Sequence, residues 1–77
     1  MKEVLQTIIE SLVEDKDQIE INQVDGERNT VFEVKVSSSD MGRIIGKEGR
    51  IAKAIRTIFK AVGAKDKKRV TIEFIDK

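Results

Sequence analysis

Between residues 3 and 14 the apolar side chains Val4, Leu5, Ile8, Ile9, Leu12 and Val13 recur at helical spacing, with Glu and Gln opposite them. The pattern predicts an amphipathic helix that ends near Asp15-Lys16-Asp17. The period then shortens to two. Ile19 and Ile21 alternate with Glu20 and Asn22, as in a strand with one dry face. Asp25-Gly26 and the polar residues Glu27 to Asn29 mark a hairpin loop. A second strand follows, with Phe32, Val34 and Val36 alternating with Glu33 and Lys35. Ser37-Ser38-Ser39-Asp40 is an N-cap signal for a short helix through Ile45. Gly46-Lys47-Glu48-Gly49 interrupts that helix before a longer one, from about Arg50 to Val62, which Gly63 is expected to cap. After the polar loop 64–68, Val70, Ile72 and Phe74 alternate in a third strand. The order is α-β-β-α-α-β. Three strands with one apolar face need a cover, so the expected class is α+β: a three-stranded mixed sheet with three helices on one face. The hairpin makes the first two strands antiparallel, and the helical crossover makes the last pair parallel.

Composition narrows the chemistry. Seventy-seven residues suit one domain, 1–77, and the chain has no cysteine, histidine or proline. Disulfides, Cys nucleophiles, imidazole acid–base catalysis and ordinary zinc sites are therefore excluded. None of the acidic residues forms a recognisable catalytic pair, so neither an enzyme nor a metal or cofactor site is expected. No apolar run approaches the roughly 18 residues of a membrane span, and the acidic residues of 1–15 do not suit a targeting peptide. A cytoplasmic protein with no membrane partner and no small-molecule substrate is expected.

The net charge of +1 conceals a strong asymmetry. Residues 43–69 carry ten basic groups against Glu48 and Asp66, or +8, and the rest of the chain carries −7. Segregation of this kind points to a side that faces a polyanion. Within the basic stretch Gly46 and Gly49 stand between two helices beside Lys47. The spacing is wrong for a P-loop, because Gly42 and Gly46 are separated by three residues and Glu48 stands where Ser or Thr would hold magnesium. It is equally wrong for a dinucleotide fingerprint, since Ile44 occupies the middle-glycine position. A Gly-x-x-Gly corner remains. In it Gly46 would end one helix in a left-handed conformation, and Gly49 would admit a phosphate to the free N–H groups of the next.

Ile44-Ile45-Gly46-Lys47-Glu48-Gly49, followed by a helix with Ala52, Ile55 and Phe59 on one face, resembles the signature of the KH domain. The α-β-β-α-α-β order is similar to the type II, bacterial form, and the resemblance covers nearly the whole chain. It implies binding of about four nucleotides of single-stranded RNA beside the GXXG loop. By the same resemblance Gly46, Lys47, Glu48 and Gly49 take the RNA backbone, and Arg43, Arg50 and Lys53 are candidates for phosphate contacts. Ile44, Ile45 and Ile51 would supply an apolar floor, with Ile45 more readily read as core. Val70 to Ile72 and the loop Lys65 to Arg69, including Lys68 and Arg69, would form the opposite wall. Ala52 stands where many KH helices carry a bulky aliphatic residue, so base preference does not carry over. A role as a post-transcriptional regulator or RNA chaperone would follow. The small bacterial single-KH proteins that it resembles are associated with self-pairing and with a larger KH-containing protein of the Jag type, which makes a homodimer and such a partner reasonable expectations.

Two rival readings stand beside this one. Arg50, Lys53, Arg56 and Lys60 could read duplex DNA from a helix-turn-helix unit. Alternatively, the apolar surplus of the third helix, which includes Ala54, Ile58 and Ile51, could serve a protein-interaction adaptor with a KH-like fold. Stacking of bases on aromatics is nearly excluded, because the only aromatic residues, Phe32, Phe59 and Phe74, fall on faces assigned to the core.

Overall fold

The computed structural model describes residues 2–76, with the side chains of Lys47 and Asp76 left out. Helix α1 (Lys2–Leu12) buries Leu5 and Ile9, and Val13 extends the same i, i+4 row beyond its end. Strands β1 (Glu20–Asp25) and β2 (Asn29–Val36) form an antiparallel hairpin in which Gln23 lies opposite Phe32. A helical segment, Ser38–Lys65, leads to β3 (Arg69–Asp76), which runs parallel to β2 with Ile72 opposite Phe32. The sheet order β1-β2-β3 gives the expected mixed sheet.

Alternation along β2 turns Thr30, Phe32, Val34 and Val36 towards the helices, all of them buried. Val70 and Ile72 of β3 join them on the same face. Ala52, Ile55 and Phe59 close the core from above, and the rings of Phe32 and Phe59 meet tilted at 58° with centroids 6.3 Å apart.

The helical segment changes direction at two left-handed residues, Glu48 (φ 65°) and Gly49 (φ 68°). An α-helix needs φ near −63° throughout, so this pair divides the segment into two limbs, α2 (residues 38–47) and α3 (residues 50–65). The expected left-handed residue was Gly46. It instead stays within α2, and the turn comes two residues later.

Three local expectations are revised. Strand β1 has no dry face: Ile19 precedes it, Ile21 is only half-buried, and Gln23 and Asp25 continue the same row in the open. As an edge strand, β1 lies largely beyond the cover of the helices. On α1, Val4 is exposed although it neighbours the buried Leu5. The end of α3 also differs, because the helix runs to Lys65 and is closed by Lys67 in the left-handed region (φ 58°). The Lys67 N–H donates to the Ala64 carbonyl (3.1 Å) and the Lys68 N–H to the Gly63 carbonyl (2.9 Å), the two bonds of a Schellman cap. Gly63 is therefore helical. It is glycine for lack of space, since a Cβ there would lie 2.5 Å from Val70 Cγ2 and 2.7 Å from the Lys68 carbonyl oxygen.

Candidate nucleic-acid interface

Ser37 caps α2 as its sequence suggested: its backbone is extended and its hydroxyl accepts from the Asp40 N–H (3.3 Å). Asp40, at the third helical position, has a further role. Its buried carboxylate accepts from the Glu14 N–H (3.0 Å), the Asp15 N–H (3.1 Å) and the Ser37 hydroxyl (2.9 Å). These bonds join the end of α1 to the start of α2. The Glu14 N–H foremost, then the Asp15 N–H, the Ser37 hydroxyl and the nearby Arg43 charge, hold the Asp40 carboxyl below its ordinary value, while burial opposes them.

One turn further on, Arg43 pairs with Glu14 (3.1 Å) and lies 3.9 Å from Asp40. A candidate phosphate contact thus begins with carboxylates beside it. Ile44 is 1% exposed and packs in the core, which removes it from any groove floor, whereas Ile45 is 47% exposed. Successive helical residues point about 100° apart, so only one of two adjacent isoleucines can face the sheet. Ile51 is half-buried against the core. Arg50 and Lys53 are exposed on the first turn of α3, and Glu48 is exposed at the corner. The side chain of Lys47 lies outside the described residues.

A Cβ at Gly46 would meet no atom within 4 Å, and the same holds at Gly42 and Gly49. Packing therefore does not demand glycine at the corner. Only Gly49 needs it conformationally, and Gly46 has an unobstructed surface that another molecule can approach closely.

The expected opposite wall is rearranged. Val70 and Ile72 face inward and are buried, so neither can line a groove. In their place Arg56 reaches across: its Nε donates to the Ile72 carbonyl oxygen (3.1 Å), and its guanidinium carbon lies 5.5 Å from the Phe74 ring centroid. A cation is thereby fixed on β3, the edge strand opposite β1. Lys68 and Arg69 stand beyond the other end of α3. Sixteen residues of α3 at 1.5 Å each separate that end from the corner by about 24 Å. Lys68 lies near Asp25, whose carboxyl is held low chiefly by hydrogen bonds from Gln23 and Thr30, with the Lys68 charge adding to them.

A family model described as the KhpA/KhpB KH domain matches residues 2–74. The chain belongs to the KhpA/KhpB KH domain family. It is 51% identical to the RNA-binding protein KhpA of Clostridium acetobutylicum over 97% of this chain and all of that one. It is 46% identical to that of Borreliella burgdorferi, covering 96% and 90% of the two chains, and 38% identical to that of Aquifex aeolicus, covering 99% and 96%. No solved structure matches the chain.

Within this KH fold the helix-turn-helix reading face is altered. It loses Arg56, which is turned onto β3, and α3 packs on a sheet instead of standing free. Sequence reasoning placed Arg56 on a DNA-reading face and not in contact with β3. Its sole signal was the position one turn before Phe59 on a helix expected to cover the sheet. Among the described residues no group of three or more acidic side chains is placed to hold a metal ion, and no helix is long and apolar enough to cross a membrane.

Proposed function

We propose that this chain binds single-stranded RNA without catalysis, holding about four nucleotides along the GXXG corner and the first turns of α3. The observation that carries this reading is the left-handed pair Glu48–Gly49 between two helical limbs. It turns the start of α3, with its positive dipole end, towards an open surface flanked by Arg50 and Lys53. The RNA-binding KhpA relatives support the ligand class. Gly46 to Gly49 would take the RNA backbone, Arg50 and Lys53 the phosphates, and Ile45 and Ile51 the apolar side of the bases. Arg43 would join after exchanging Glu14 for a phosphate. With Phe32 and Phe59 buried and Phe74 beneath Arg56, base contacts rest on aliphatic and backbone groups. Such a domain suits a cytoplasmic post-transcriptional regulator or RNA chaperone.

The test is a titration of single-stranded RNA against duplex DNA of the same sequence over a range of salt concentrations. About three phosphate contacts give a log–log salt slope near −2 for single strands, and duplex DNA should compete poorly. A salt-independent Kd, or preference for the duplex, would overturn the assignment.

A second surface favours pairing. Ile58 (49% exposed) and Val62 (40%) form an exposed apolar row on α3 with Ala54 and Ala61. We assign this row to contact with a second KH chain, either another copy or a larger Jag-type protein. Light scattering at high concentration should give the mass of a dimer for the parent and of a monomer for Ile58→Asp. A monomeric parent would leave the homodimer without support.

A further inference from the structure

The chain's basic residues gather at a second place, far from the GXXG corner. Where the β1–β2 hairpin meets the cap of α3, Glu27, Arg28, Asn29, Lys67 and Arg69 line an open cleft of about 590 Å³. Three of the five are cations. Their assembly is specific to the fold, because Arg28 lies about forty residues from the others and belongs to the stretch of the sequence that is acidic overall.

The backbone holds them in place. The Arg69 N–H donates to the Arg28 carbonyl (2.8 Å), and Asn29 and Arg69 are partners in the parallel ladder. Lys67 is the left-handed residue of the Schellman cap, a position where glycine or asparagine is easier to accommodate. Among the described residues none of the three cations forms an ion pair, in contrast to Arg43 at the other site. Glu27 offsets one charge and leaves the lining net positive. Lys68, outside the cleft lining, has the Asp25 carboxylate nearby.

Both sites lie along α3, at opposite ends of a helix about 24 Å long, and both are rich in Arg and Lys. We infer that the Arg28–Lys67–Arg69 cleft is a second phosphate-binding site, which takes the backbone of a single-stranded RNA beyond the nucleotides held at the GXXG corner. This inference rests on the RNA-binding reading above. It adds that the footprint is set by two anchors at a fixed separation, so affinity rises stepwise once an RNA is long enough to reach both.

The test uses end-labelled random-sequence RNAs of 4 and 10 nucleotides, titrated by fluorescence anisotropy against the parent chain, Arg28→Gln/Lys67→Gln and Lys47→Asp/Glu48→Asp. For the parent, the 10-mer should show a salt slope steeper than the 4-mer by about 1.4, the release expected from two added phosphate contacts. Arg28→Gln/Lys67→Gln should erase that difference, weaken the 10-mer about tenfold and leave the 4-mer unchanged. Both replaced residues are exposed, so the melting curve should match the parent's. Equal 10-mer affinity and slope in parent and cleft variant would overturn the second site, even while the loop variant loses all binding. If the loop variant binds the 4-mer as tightly as the parent, the GXXG reading fails instead. In that case a 10-mer loss in the cleft variant would still support the cleft as an anion site. Weakening of the 4-mer and 10-mer alike by the cleft variant would overturn the two-anchor arrangement.

Discussion

Replacing Lys47 and Glu48 together by Asp is expected to abolish RNA binding while the protein stays folded. The loop is neutral in the parent, with Lys47 offset by Glu48, and carries −2 in the variant. Losing one positive charge and gaining one negative charge, a net change of −2 where the RNA backbone must approach, should weaken binding roughly a hundredfold or more at low salt. The fold has little reason to respond. Glu48 is exposed in the left-handed region, and Asp is one of the few side chains enriched there, so the corner keeps its shape. Surface changes of this kind stay within about 0.5 kcal/mol, or roughly 4 °C in Tm. Anisotropy with a short single-stranded RNA and a thermal melt check the two halves, and parental affinity in the variant would reject the GXXG site. Gly46→Ala sharpens the same test. No atom stands within 4 Å of the added methyl and the position is helical, so Ala should stabilise the fold by up to about 1 kcal/mol. If the open surface at Gly46 exists for the RNA backbone, the more stable variant binds RNA less well. Gly42→Ala, equally unobstructed within its own helix, should gain the stability and keep the affinity.

What the sequence revealed, and what it withheld, follows from the range of each interaction. The row Leu5, Ile9 and Val13, the alternation of β2 and β3, and the Ser37 cap are local patterns, and all of them stand in the fold. The corner was legible from Gly46 and Gly49, yet the left-handed residues are Glu48 and Gly49. Glutamate in that conformation is unfavourable in isolation, and only the packing of both limbs on the sheet holds it there. Sequence reasoning read Ile45 more readily as core, whereas the structure buries Ile44 and exposes Ile45, because periodicity locates a stripe and leaves its edges undefined. The end of α3 was misplaced for a related reason: Gly63 looked like a cap, but the contact that requires glycine is with Val70, across a loop. Pairings at long sequence separation left no trace in the pattern. Arg43 with Glu14, Arg56 with Ile72 and Arg28 beside Lys67 emerge only when the strands and helices are assembled. These contacts decide which cations are available to an RNA.

Asp40→Ala is expected to destabilise the fold far more than the loss of an ordinary helix cap. Sequence alone makes Asp40 a helix-start residue, whose loss at an ordinary cap would be modest. Here its carboxylate also accepts the two N–H groups, of Glu14 and Asp15, with which the chain leaves α1. Truncation leaves both donors and the Ser37 hydroxyl without that acceptor, and it frees the end of α1 from the start of α2. A fall in Tm on the order of 15 °C is expected for a domain of this size. The effect should depend on pH. Because the folded carboxyl titrates below its ordinary 3.8, its contribution is complete above that value and fades as the pH drops through the lower folded value. Parent and variant should therefore differ by a constant amount from pH 7 to about 5 and converge under stronger acid. A Tm gap that persisted unchanged below pH 3 would show that Asp40 acts through packing alone and not through its charge. Arg43 supplies the functional readout. With Asp40 removed, Arg43 keeps Glu14 as its remaining acidic neighbour of the two, and a weaker hold on its guanidinium should favour transfer to a phosphate. Measured below the variant's melting range, RNA affinity should be maintained or slightly increased. Loss of binding in proportion to loss of stability would instead mean that the α1–α2 junction shapes the GXXG corner directly.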